Sequence, residues 1–346
     1  MKRHLTREEV ISVIDRKGAA PGVPTLLLNW WGNGTPEKYG RKLKDLEARF
    51  PCDIFLGKLL QPGEATSPTA NPEYRWGYKA DYSASAMHSI GNAVELLDDW
   101  ADLDKLLASF PDPNEPGIFD EIIAMLPQAG NRYKVGLFWR VFHEFFWTIR
   151  GMENLMYDYF EEMDNLKALG RRVLVFHKGI VDRLAELGFD GVFTSDDLGH
   201  QGGPLMSPAI FKELYLPLYR ELVGYVHEKG MHFWLHSCGD NTLLLDDLIA
   251  AGVDVLHPIQ KGCMNEAKTA RGFGGKISFL YGVDVQHLLP EGTPAQVRAE
   301  IRAMRQLFHR EDGGLLFAAG NGIMPDTPFE NIEAMFEELF SDREDC

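Results

Sequence analysis

The chain has 346 residues, 45% apolar and 25% charged, which is enough to bury a full core and stay in solution; disorder, a collagen repeat and a disulfide framework are excluded as its main description. Thirty-five basic against 51 acidic residues give a net charge of −16, which opposes non-specific binding to nucleic acid or anionic lipid and points to a small-molecule partner. No apolar run approaches the roughly 18 residues needed to cross a bilayer. The first nine residues lack the apolar core of a leader, and four irregularly spaced cysteines suit a reducing interior, so the expected location is cytoplasmic.

In chain order, Thr6-Arg7-Glu8-Glu9 forms a capping box ahead of an apolar stripe from Val10 to Ile14, which predicts an N-terminal helix ending at Lys17-Gly18. Eight short apolar runs come next: Thr25–Trp30, Asp53–Leu60, Lys134–Val141, Gly191–Asp197, His232–Cys238, Asp254–Gln260, Ile277–Asp284 and Leu315–Asn321. Each is too apolar throughout for a half-exposed sheet, as strands of a parallel sheet covered on both faces are. Helical patterns lie between them, including Met152–Asn165, Lys178–Leu187, Ser207–Glu228, Thr242–Ala251, Thr293–Leu307 and Pro328–Phe340. A length of 346 alone suggests about two domains. Eight alternations with no second compositional zone instead predict one α/β domain over residues 1–346, a closed (β/α)₈ TIM barrel with an N-terminal helix. An open doubly wound sheet is the alternative, but Thr25–Gly34 carries no phosphate-binding glycine fingerprint. Turn-dense sequence at about 61–128, with Tyr74, Trp76, Tyr78 and Tyr82, reads as an insertion after strand two, either a substrate cover or a surface excursion.

In such barrels the chemistry gathers where strands end. Here five consecutive strand ends are polar: Thr194 to Gly199, His236 to Asp240, His257 to Gln260, Gly282 to Asp284 and Ala319 to Gly322. Strand five is the most specific. Alternation places His232, Trp234, His236 and Cys238 on one face and Phe233, Leu235 and Ser237 on the other. His236 and Cys238 would then reach the mouth together, able to grip one metal ion, and imidazole with thiolate suits zinc. A His-x-Cys pair alone is also common by chance, and buried cysteine is usually inert packing. Cys263, His257, Asp197 and Asp284 are available to complete a metal shell. Of the adjacent Asp196 and Asp197, one is expected to serve the pocket and the other to cap the next segment of chain; Asp197 is favoured for the pocket, with Gln201 on the loop behind it. His143, just past strand three, is a further candidate.

From Gly191 to Asn331 the sequence resembles the uroporphyrinogen decarboxylase superfamily. The matching segments are Asp196-Asp197-Leu198-Gly199, Ser207-Pro208, His236-Ser237-Cys238-Gly239, Gly252-Val253-Asp254, Gly282-Val283-Asp284 and Gly320-Asn321-Gly322 through Pro328. The resemblance implies a barrel and one of two chemistries: cofactor-free decarboxylation, or methyl transfer between a small molecule and a cobalt corrinoid, with zinc as activator. The arginines that grip porphyrinogen carboxylates after the first strand are replaced by residues 29–34, Asn-Trp-Trp-Gly-Asn-Gly, while Trp147 stands for a Tyr, Asp197 for a Ser and Asn321 for a His. The zinc methyltransferases bind metal through His-x-Cys and a later Cys; His236 and Cys238 match the pair, and Asn321 occupies the third place.

The resemblance thus implies a zinc-dependent methyltransferase that exchanges a methyl group of an ether, amine or thiol with a corrinoid (cobalamin) carried on a partner protein. The expected metal ligands are His236, Cys238 and Cys263; the catalytic set is Asp197, His236, Asp284 and Asn321. Trp30, Trp76, His143, Trp147, Gln201 and Gln260 are expected to line the substrate. A carboxy-lyase using Asp197 and His236 as a proton-handling pair is the alternative, and a non-catalytic ligand or corrinoid sensor a third. The oligomeric state stays open, a homodimer being one option.

Overall fold

The computed structural model describes residues 2–27, 30–59, 97–108, 110, 112–114 and 117–344. Trp76 and its neighbouring tyrosines lie outside the described residues. Strands β1 (Thr25–Leu26), β2 (Ile54–Lys58), β3 (Tyr133–Phe138), β4 (Gly191–Ser195), β5 (His232–His236), β6 (Val255–His257), β7 (Ser278–Val283) and β8 (Leu315–Ala319) form one sheet. Its order is β1-β8-β7-β6-β5-β4-β3-β2, with every pair parallel. This is a nearly closed (β/α)₈ barrel, as the eight runs predict. The observed strands stop short of the predicted ends because the ladder gives way where polar side chains turn into the mouth.

The alternation expected for β5 is present. Trp234 packs on Tyr133 of β3 and Phe193 of β4, with ring centroids 5.7 and 5.9 Å away. Phe233 instead meets Tyr219 of an outer helix at 6.4 Å. Among the described residues, β1 and β2 share no ladder. Side chains close that seam. Thr25 donates from its backbone N–H (2.7 Å) and hydroxyl (2.9 Å) to Asp53 Oδ2, and the backbone N–H of Leu27 donates to Cys52 Sγ (3.3 Å). The carboxylate of Asp53, wholly buried, also accepts from the N–H of Leu5 (2.7 Å) and from both terminal guanidinium nitrogens of Arg343, each at 2.6 Å.

Helices around the barrel include α1 (Arg7–Ile14), α2 (His143–Arg150), α3 (Met152–Glu161), α4 (Met163–Glu186), α5 (Leu216–Glu228), α6 (Leu245–Ala251), α7 (Pro294–Phe308) and α8 (Phe329–Leu339), with others between. The capping box opening α1 is present: Thr6 Oγ1 accepts from the N–H of Glu9, whose carboxylate accepts from that of Thr6. The helix ends earlier than predicted, because Arg16 adopts a left-handed φ of 55°. The predicted helix over 207–228 is also interrupted. It starts at the Ser207 cap, widens into a π-helical turn over Phe211–Tyr215 and resumes as α5. Pro217 has no N–H for the carbonyl four residues back, which favours such a local widening. Between β2 and β3, the described part of the insertion forms short helical pieces at Trp100–Asp102, Leu103–Ala108, Asp120–Met125 and Leu126–Gln128. No helix among the described residues is long and apolar enough to cross a membrane.

Candidate metal centre at the barrel mouth

The first β4 residue past the ladder is Asp196, whose side chain turns back to the start of α2. Its Oδ1 accepts the Glu144 N–H (2.7 Å) and its Oδ2 the Tyr219 hydroxyl (2.6 Å). Asp196 therefore caps a helix that precedes it in the chain, where the sequence suggests a cap for the segment after it. Burial pushes its carboxyl up to about 7, against the pull of Tyr219 and the α2 amides. Asp197, on the opposite side of the chain, faces β5.

There three ligand-type side chains converge. One donor atom each from Asp197, His236 and Cys238 lies within 4.8 Å of the other two, the one such group found among the described residues. His236 Nε2 is 3.3 Å from Cys238 Sγ and 3.6 Å from Asp197 Oδ1. Ligands about 2.0–2.3 Å from a tetrahedral zinc stand roughly 3.3–3.8 Å apart, so the two distances from His236 and the N, O, S donor set fit that ion. The backbone fixes the arrangement further, since the N–H of Cys238 donates to Asp197 Oδ1 at 2.8 Å. Burial, then the charges of Asp197 and Glu144, hold the Cys238 thiol well above its usual range.

A close backbone contact sets the position of Cys238. Gly239 has a φ of 84°, and a Cβ there would lie 2.1 Å from the carbonyl carbon of Gly199. Gly199 opens a small antiparallel hairpin, Gly199–His200 against Gly203–Pro204, whose His200 carbonyl accepts the N–H of Asp240 at 2.8 Å. A Gly239→Ala substitution is therefore expected to cost about 2–4 kcal/mol, from the left-handed backbone and the clash together. Urea unfolding checks this; a loss below about 0.5 kcal/mol, the usual range of a neutral surface change, would show that the contact yields freely.

The other expected residues fall at varying distances from this centre. Asn321 Nδ2 points at Cys238 Sγ from 4.0 Å. Gln260 braces the loop after β5, its Oε1 accepting the Gly239 N–H at 2.6 Å. Trp30 lies against the site, its ring 4.8 Å from that of His257 and 6.3 Å from that of His236. Its neighbour Trp31 turns away to Glu47 and Phe336. Cys263, expected as the third ligand, is outside the converging group; it sits in a turn closed by its own N–H to the Gln260 carbonyl, and Asp197 takes the third corner. Asp284 is outside it too, because its carboxylate closes the turn at Gln286–Leu288. Gln201 is exposed at the hairpin tip. His143 is wholly buried, its Nδ1 2.9 Å from the Tyr159 hydroxyl, and burial lowers its pKa to about 3. Trp147 is buried on α2, and its indole N–H has no hydrogen-bond partner among the described residues.

Three further residues stand beside the centre; the sequence suggests His257 only as a spare metal ligand and does not single out Trp139 or Glu144. His257 Nδ1 is 2.7 Å from His236 Nδ1, and Trp139 meets the His236 ring edge-on at 5.8 Å. Glu144, buried, accepts a short hydrogen bond from the Ser195 hydroxyl. Burial, then the charges of Asp197 and Asp196, raise its carboxyl well above the usual range. The signal available for His257 is its polar strand end; Glu144 sits with His143 between Phe142 and Phe145, and no motif in the sequence marks it.

The sequence model of uroporphyrinogen decarboxylase (URO-D) matches residues 146–340, more than half of the chain, from inside α2 through β8 and α8. The chain belongs to the URO-D family. Among solved structures, this URO-D chain is similar to a methyltransferase from Methanosarcina mazei, at 17% identity and a TM-score of 0.61 over 97% of this chain and 98% of that one. A sugar phosphate isomerase/epimerase from Parabacteroides distasonis matches at 11% identity and a TM-score of 0.47 over 93% and 95%. A curated relative, the transcriptional regulator GfcR of Methanococcus maripaludis, is 28% identical over 142 residues, 39% of this URO-D chain and 69% of that protein. The superfamily resemblance read from the motifs thus holds.

Proposed function

We propose that this URO-D family member is a zinc-dependent methyltransferase that moves a methyl group between a small molecule and a corrinoid carried on a partner protein. The convergence of Asp197, His236 and Cys238 at the end of the barrel where (β/α)₈ enzymes place their chemistry carries this reading. The full-length likeness in fold to a methyltransferase accords with it. Zinc bound there would act as a Lewis acid on the methyl-bearing heteroatom.

The chain's own residues define what the site accepts. One carboxylate in place of a second sulfur makes a harder donor set, which favours an oxygen or nitrogen lone pair over a thiol. The proposed substrate is accordingly a methyl ether or a methylamine. Trp30 and Trp139 form an aromatic wall beside His236, suited to an apolar or aryl body. Asn321 would hydrogen-bond the Cys238 sulfur, tempering its charge.

Metal analysis of anaerobically prepared protein, followed by demethylation assays with a reduced corrinoid on aryl methyl ethers and methylamines, tests the reading. About one equivalent of zinc and turnover abolished by chelation are expected. Less than about half an equivalent, with turnover of a carboxylated substrate surviving chelation, would favour the lyase instead. The 3.6 Å approach of Asp197 to His236 is the observation that keeps this second reading open.

A further inference from the structure

We infer that His257 is a positioning residue: it commits His236 to carry its proton on Nδ1 and to present a bare Nε2 between Asp197 and Cys238. The metal-binding consequence rests on the proposed zinc centre, whereas the tautomer itself comes from hydrogen-bond geometry.

The β5–β6 register sets His236 directly beside His257. His257 is fully buried, with its Nε2 2.9 Å from the carbonyl oxygen of Ala319 at the end of β8. A carbonyl can only accept, so this nitrogen carries the proton and the Nδ1 of a neutral His257 is bare. His257 Nδ1 faces His236 Nδ1 at 2.7 Å. Two bare nitrogens at that distance would oppose lone pair to lone pair, so the proton between them belongs to His236 Nδ1. A neutral imidazole holds one N–H, which leaves His236 Nε2 as a lone pair directed at the group formed with Sγ (3.3 Å) and Oδ1 (3.6 Å). The indole of Trp30, tethered by its N–H to the Leu26 carbonyl at 3.1 Å, stacks over both imidazoles and restricts their rotation.

The relay joins three strands, β5, β6 and, across β7, β8, so the choice of nitrogen is built into the barrel and not into the mouth loops. With the opposite tautomer, an Nε2–H would point at the Asp197 carboxylate and occupy the corner a cation needs.

Nitrogen-15 NMR of the histidine-labelled, metal-free full chain reads the tautomer directly. His236 is expected protonated at Nδ1 in the parent and to shift toward Nε2–H in His257→Phe, which keeps an aromatic ring but no acceptor. Cobalt(II) titration followed by absorption is expected to show a thiolate charge-transfer band in the parent and binding weakened about 10- to 100-fold in His257→Phe. His257→Asn, whose Oδ1 replaces Nδ1 as acceptor, should recover most of that loss. An Nε2–H tautomer in the parent, or cobalt held by His257→Phe as tightly as by the parent, overturns the inference. Should the Phe variant fail to fold, the parent spectrum and the Asn variant decide it. A parent with the Nδ1–H tautomer that binds no cobalt would instead refute the zinc centre and leave the assignment of His257 standing.

Discussion

A Cys238→Ser variant is expected to bind zinc roughly a thousandfold more weakly than the parent chain. Zinc held by protein side chains is worth about 10–16 kcal/mol at neutral pH, and one of three ligands carries about a third of it, near 4 kcal/mol. A serine hydroxyl does not ionise near neutrality, so the substitution deletes a donor while nearly conserving volume. The Cys238 thiol sets the direction of the pH dependence. Its pKa is raised by burial and by Asp197 and Glu144, so the metal-free site holds a proton that zinc must displace. Affinity should therefore rise with pH, by about tenfold per unit while the thiol stays protonated, and fall on acidification. Competition titration against a chromophoric chelator at several pH values measures both effects. Equal affinity in parent and variant would remove Cys238 from the centre and with it the chemistry proposed for the site.

The second large effect concerns the seam of the barrel. Arg343→Met is expected to lower stability by about 3–5 kcal/mol, because it leaves the Asp53 carboxylate charged in a fully buried place. Asp53 also anchors Leu5 and both polar groups of Thr25, so Asp53→Ala strips partners from three segments at once. The double variant should cost less than the two single ones summed, since neither charge is then left alone. Urea denaturation of the four proteins closes this cycle. Additive single effects, or a loss under about 1 kcal/mol for Arg343→Met, would show that the pair is not the clasp it resembles.

The strands were readable because parallel strands covered on both faces are written as short apolar runs, and the ring of eight came from their count. The pairing of His236 with Cys238 was readable too, since alternation along one strand is local. What joins them was readable only in part: the sequence favours Asp197 for the pocket, but as one of several spare metal donors, with Cys263 expected as the third ligand. Asp197 reaches them because the ladder ends at Ser195 and the chain then turns, and no spacing announces that turn. The contact of His236 with His257 depends on the β5–β6 register, which no pattern within either strand alone gives to the residue. Glu144 was hidden by its aromatic neighbours, and Asp284 looked available only because a turn-closing carboxylate and a free one are spelled alike.

The clasp at the seam also bears on how the barrel assembles. Asp53 and Arg343 are 290 positions apart, so a ribosome delivers the acid long before its guanidinium. Seven strand pairings can be laced while synthesis proceeds, but the acid at the joint between the first two staves, though already tied to Thr25, lacks its guanidinium until Arg343 has emerged. Until then a nascent cylinder carries an open flank, with a buried-to-be carboxylate at its edge, and chaperones that shield unfinished sheets would find their work concentrated there.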